Sequence, residues 1–147
     1  MVALEPHVPE ITNVIQLAVA PVFMLTAVGT LINALNSRLG RAVDRRRSLE
    51  SALGSMPGEE AGDARSELAQ IALRIRYVYL AILFAVVSGL FVCLLIAGAF
   101  IGAFVAMDLS RLIGALFVLA VLALVVALLL FVREIVLAVA TPRHVPK

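Results

Sequence analysis

No Lys, Arg, Asp or Glu lies within residues 11–37, 77–107 or 112–132, uncharged runs of 27, 31 and 21 residues. Each passes the roughly 18–20 residues that a helix needs to cross a hydrocarbon core. No water is present at mid-bilayer to satisfy free peptide groups, so such runs are expected to be helical. A soluble fold is hard to reconcile with the rest of the composition. The hydrophobic fraction is 63% and the charged fraction 15%, against roughly 45–50% and about 25% in soluble domains. The expected fold class is therefore all-α, an integral membrane protein with three transmembrane helices. Residues 1–147 would form a single membrane domain, with spans at about 11–37, 77–107 and 112–132.

The first run does not read as a signal peptide. Residues 1–10 carry no Lys or Arg, and the apolar run is too long for the core of a leader, so Met1 is expected to be retained. The middle run would extend to about 46 Å as a straight helix, beyond a core of about 30 Å. It must tilt, or place its Tyr77 and Tyr79 end in the interface that amphipathic rings prefer.

The twelve basic residues are unevenly placed. Eight lie between the first and second runs, namely Arg38, Arg41, Arg45, Arg46, Arg47, Arg65, Arg74 and Arg76. Arg133, Arg143 and Lys147 follow the third run, and Arg111 alone lies in the short Asp108–Arg111 turn. A connection of this length obeys the positive-inside rule. The expected orientation is N-terminus outside and C-terminus cytoplasmic.

The segment 38–76 is patterned rather than loop-like. Leu39, Ala42, Val43, Leu49 and Leu53 recur at near-helical spacing, as do Leu68, Ile71, Ala72, Ile75 and Tyr79. Gly54-Ser55-Met56-Pro57-Gly58 breaks the pattern between them. Helices 1 and 2 are thus expected to extend into a cytoplasmic helical hairpin. Glu59, Glu60, Asp63 and Glu67 would then suit the positive end of the returning helix.

A polar stripe runs along the first helix. Thr26, Thr30, Asn33 and Ser37 are spaced by three or four residues and continue into Arg41, Asp44 and Ser48. Such a stripe should face other helices or water rather than lipid. It serves either helix–helix adhesion, at roughly 0.6–2 kcal/mol for each contact, or the lining of a pathway between several copies. It holds no ionisable group at mid-membrane, which argues against proton coupling. Pro21 lies in the same helix, as a tolerated kink or as a hinge that frees the Leu17 carbonyl. Gly98 and Gly102 form a GxxxG spacing that suits either self-association or an internal contact. The third run has no polar side chain and is expected to be the helix most exposed to lipid.

A charge network is expected at the basic membrane boundary, from Arg38, Arg41, Asp44, Arg45, Arg74, Arg76, Arg133 and Glu134. Asp44 and Glu134 should pair with arginines of neighbouring helices, with Arg41, Arg38 and Arg74 as candidates. The remaining guanidiniums suit anionic lipid headgroups, at roughly 1 kcal/mol each, or a site that senses lipid or another anion. An enzyme is not expected. His7 and His144 fall on opposite sides of the membrane, Cys93 is single, and no nucleophile triad, metal motif or phosphate loop is present. No cofactor, metal or nucleic-acid partner is implied.

Three stretches bear a family likeness: Ala20-Pro21-Val22-Phe23 with Asn33, Asn36 and Arg38-Leu39-Gly40-Arg41-Ala42-Val43-Asp44-Arg45; Glu67-Leu68 with Arg74-Ile75-Arg76; and Phe131-Val132-Arg133-Glu134-Ile135. In these the chain resembles the bacterial "domain of unknown function 2721" family over nearly its whole length. The resemblance implies a small three-span membrane protein and leaves its activity open. Three functions stand as expectations: association with itself or a membrane partner, a homo-oligomeric channel or transport component lined by the first helix, and a sensor of anionic lipid or another anion at the cytoplasmic Arg cluster.

Overall fold

The computed structural model describes residues 8–105 and 107–140. Three long helices account for nearly all of them: α1 (Val8–Ala52), α2 (Gly58–Val105) and α3 (Ser110–Ala140), with one 3-10 turn at Leu53–Ser55. Each is long and apolar enough to cross a membrane. At 1.5 Å per residue α1 and α2 reach about 70 Å and α3 about 46 Å, so the first two extend well past a 30 Å core. His7, Arg143, His144 and Lys147 lie outside the described residues.

A seven-residue repeat organises the packing. On α1 the buried positions among the described side chains are Pro21, Val28, Leu35, Ala42 and Leu49; on α2 they include Ala64, Ile71, Val78, Ala85 and Val92. Seven residues make almost two helical turns, so the seam stays aligned when the helices wind left-handed about each other. The clusters pair Val28 with Ala85 and Leu35 with Val78. Ala42 and Leu49 continue the seam against Ile71 and Ala64, with Leu53, Met56, Leu68 and Ile75 around them. The same seam thus passes from the apolar runs into the charged segment without a break.

α2 lies between its neighbours and turns a second series toward α3: Arg74, Ala81, Ser88 and Leu95. The matching series on α3 is Ile113, Ala120, Ala127 and Glu134, of which the last three are buried. Two polar contacts fix the antiparallel register. Ser88 Oγ donates to the Ala120 carbonyl at 2.7 Å, and Arg74 Nη2 donates to Glu134 Oε1 at 2.9 Å. Both pairs of tie points are fourteen residues apart on their own helix. Ala81, Ala85, Ala120, Ala123 and Ala127 are all buried. Small side chains let two backbones approach closely where the surrounding solvent is itself apolar.

Several expectations need correction. Ala72 and Tyr79 are exposed, not part of the seam, whereas Ala64 is buried in it. α3 is not open on all sides: Ala120, Ala123 and Ala127 are buried. The turn between α2 and α3 precedes Ser110, so Arg111 already belongs to α3. α1 runs on as helix through Pro21, whose ring is on the buried side.

The glycines near that turn face inward. A Cβ on Gly98 would meet Ile113 at 3.8 Å, and one on Gly102 would meet the Met107 carbonyl at 3.3 Å. The GxxxG spacing therefore serves contact within the chain. Met107 N–H bonds back to the Gly102 carbonyl at 3.1 Å, a helix-closing pattern. Asp108 then accepts from the Ser110 backbone N–H at 3.1 Å and from the Ser110 hydroxyl. The hydroxyl bond and then the backbone bond hold its carboxyl below the ordinary aspartate range.

Ser88 is the buried hydroxyl of the α2–α3 seam. Ser88→Ala should lower the stability of the bundle by about 1 kcal/mol, the scale of one interhelical hydrogen bond in a bilayer. Reversible unfolding in mixed micelles or bicelles measures it.

Candidate functional site

Two features stand apart from apolar packing. The first is a three-helix ion cluster where the uncharged runs end. Glu134 falls on the buried seven-residue series of α3, one repeat beyond Ala127, and its side chain is only 1% exposed. An isolated carboxylate there would be strongly penalised. Arg74 of α2 meets Oε1 at 2.9 Å through Nη2 and at 3.3 Å through Nε. Arg38 of α1 lies 2.9 Å from Oε2 through Nε. That second contact has ion-pair distance but not hydrogen-bond alignment, so Oε2 lacks a well-directed donor. Arg38 also stacks over the Phe131 ring at 5.4 Å, and Arg133 over Tyr77 at 5.9 Å. One carboxylate therefore holds a guanidinium from each of the other two helices. The cluster sits between the Leu35, Val78 and Ala81 core and the Ala42, Leu49, Ala64 and Ile71 core.

Other charged residues are dispersed. Arg45 binds Glu67 across α1 and α2 at 2.9 Å, a partner that the sequence did not suggest for it. Arg46 and Glu50 pair along α1 at 2.7 Å, where both are half exposed and the pair contributes little. Asp44 is a correction: it is exposed and makes no ion pair with any described residue. The reason is geometric, since it lies on the side of α1 directed away from α2 and α3. Arg41, Arg47 and Arg76 likewise enter no ion pair among the described residues.

The second feature is that outward side of α1. Thr26, Thr30, Asn33, Ser37, Gly40, Arg41, Asp44 and Arg47 are all exposed. They lie opposite the buried series of Val28, Leu35, Ala42 and Leu49. The stripe accordingly packs against no other helix of this chain. Its hydroxyls turn onto their own helix: Thr30 Oγ1 donates to the Thr26 carbonyl at 2.9 Å, Ser37 Oγ to the Asn33 carbonyl at 3.1 Å, and Thr26 Oγ1 to Val22 at 3.4 Å. The Asn33 amide has no partner among the described residues. A Cβ on Gly29 or Gly40 would meet nothing within 4 Å.

Of the charge network expected from the sequence, the structure joins Arg38, Arg74 and Glu134, and it leaves Arg41, Asp44 and Arg76 without an ion pair among the described residues. Sequence reasoning missed Ser88, whose signal was its position as the one hydroxyl in the uncharged run beyond the tyrosines. It also missed the Arg45–Glu67 bridge, because facing residues on two helices follow from register and not from spacing along either.

The fold and these features define a small all-helical protein with three segments able to span a membrane. Residues 18–144 match the family described as "protein of unknown function (DUF2721)". The chain belongs to that family. No curated protein and no solved structure matches the chain.

Glu134→Gln should destabilise the bundle by leaving two guanidiniums without their anion. Losing one member of a buried pair costs roughly 3–5 kcal/mol, and the effect here should be smaller because the arginine side chains are 23–29% exposed. Replacing Arg38, Arg74 and Glu134 together by Met, Met and Leu should restore much of the loss. Thermal unfolding of the purified variants in detergent reads both.

Proposed function

We propose that this is a non-enzymatic, multi-pass protein of the bacterial inner membrane that acts by lateral association, with itself or with a second membrane protein. The observation that carries this reading is the unpartnered polar face of α1. A primary amide at Asn33 brings two donors and an acceptor, and no other helix of the chain covers it. In a bilayer, such a group gains from meeting another helix. The hydroxyls beside it are short, and Gly29 and Gly40 leave room for a second backbone.

Sidedness supports the same picture. The N-terminus would lie outside, the C-terminus in the cytoplasm, and the paired ends of α1 and α2 would form a cytoplasmic helical hairpin. The bias of the arginines toward that end favours this arrangement. Arg41, Arg47 and Arg76, free of ion pairs among the described residues, suit anionic headgroups of the inner leaflet. Tyr77 under Arg133 suits the interface at the same level.

A second reading uses the same face differently. Thr26, Thr30 and Ser37 donate their protons to their own backbone, which leaves oxygen lone pairs turned outward. In a ring of copies these oxygens and Asn33 would line a path for cations or water.

Asn33→Leu separates the two. Under the association reading it should shift the mass in mild detergent toward the single chain and leave liposomes loaded with a fluorescent ion reporter silent before and after the change. Ion flux through the unaltered protein, changed by this substitution, would favour the channel.

A further inference from the structure

The outward face of α1 carries its own seven-residue order. Thr26, Asn33, Gly40 and Arg47 form one series, and Thr30, Ser37 and Asp44 form another offset by four. All seven are exposed. These are the two positions that meet a partner in a helix pair. α1 is therefore patterned as a seam on both sides: one filled by α2 and one left open. The open seam is small or polar throughout.

Resting on the association reading, we propose that the partner is a second copy of this chain, docked α1 to α1 about a two-fold axis along the membrane normal. Three observations favour a copy over an unrelated protein. The first is sidedness: copies inserted by the same charge rule run parallel, so each residue of the seam meets its own counterpart. An asparagine amide suits that meeting because it both donates and accepts, and a single Asn in a seam fixes register and favours pairs. The second is charge. Arg41 and Asp44 are exposed, carry no ion pair with described residues, and lie three positions apart. Across a parallel two-fold Asp44 faces its own counterpart, and Arg41, which flanks the seam one turn back, lies within reach of Asp44 of the other chain, so two carboxylates meet two guanidiniums with no net charge. The third is space. Gly40 adjoins Arg41 and lies one turn from Asp44, and a Cβ there meets nothing within 4 Å, so the backbones can close where the charges must cross.

The inner seam is unaffected by this docking, since Val28, Leu35, Ala42 and Leu49 point the other way. The Arg38, Glu134 and Arg74 cluster also remains within each chain. The dimer would bring two hairpins side by side at the charged end.

The test uses full-length protein in lipid nanodiscs, with Cys93→Ala as background. Ser37→Cys should form a disulfide between two chains under mild oxidation, and Leu90→Cys, exposed on α2, should not. Arg41→Asp and Asp44→Arg, each alone, should weaken self-association about 3- to 30-fold, the factor that corresponds to one interhelical polar contact. The two together should restore it. Gly40→Ile should abolish cross-linking while helix content and thermal unfolding of the single chain stay unchanged. If the protein forms oligomers but Ser37→Cys does not cross-link, or the charge exchange does not restore pairing, the two-fold is wrong and lateral association survives. A mass above two chains overturns the two-fold in favour of a ring. A single-chain mass under all conditions overturns both.

Discussion

A buried carboxylate in a low-dielectric layer needs its counter-charges close by, and Glu134 takes them from two different helices. Arg74 and Arg38 are each 2.9 Å from one of its oxygens. The pairing fixes the height of α3 against α2 and of α1 against α3 with one side chain. Dispersion and small-residue packing alone leave helices in a bilayer free to slide by a turn at modest cost, because lipid is as apolar as leucine. An ion cluster does not slide. Its desolvation makes it a weak source of net stability, so its contribution here is register.

That register has consequences at both ends. Fourteen residues from Glu134, the Ala120 carbonyl meets Ser88, and further on Gly98 and Gly102 close against Ile113 and the α2–α3 turn. In the other direction the α1–α2 seam continues past the cluster into Ala42, Leu49, Ala64 and Ile71. There the surroundings change from lipid to water in the proposed topology, and the hydrophobic effect becomes the driving term. One unbroken seven-residue pattern thus serves two solvents. It also dictates what α1 leaves uncovered, because a helix packed along one seam presents the opposite one outward.

Much of this was legible in the sequence. Uncharged length gave the three helices, and the Gly54–Gly58 breaker gave the turn between α1 and α2. The polar stripe was visible from spacing alone, as was the crowding of charge at Arg38, Arg74 and Glu134. What the sequence did not disclose was direction. Periodicity shows that Thr26 and Asn33 share a face, not whether that face meets α2 or the outside. The stripe from Thr26 to Ser48 was open to helix–helix adhesion or to a lining between copies, and the buried series on the opposite side shows that it does not face α2. For the same reason Asp44 was expected to find an arginine of a neighbouring helix, and among the described residues it pairs with none. Lack of polar groups made α3 seem the outermost helix. Yet Ala120, Ala123 and Ala127 are buried and let it approach α2 closely.

The central claim is that α1 is covered by its own chain on one side and by a second membrane helix on the other. A nitroxide scan along residues 24–42 in bilayers, read by collisional access of oxygen, tests it most directly. The account predicts two protected minima in every helical repeat, one at Val28 and Leu35 and one at Asn33 and Gly40. A single minimum at Val28 and Leu35, with Asn33 and Gly40 as open to oxygen as Phe23, would contradict it.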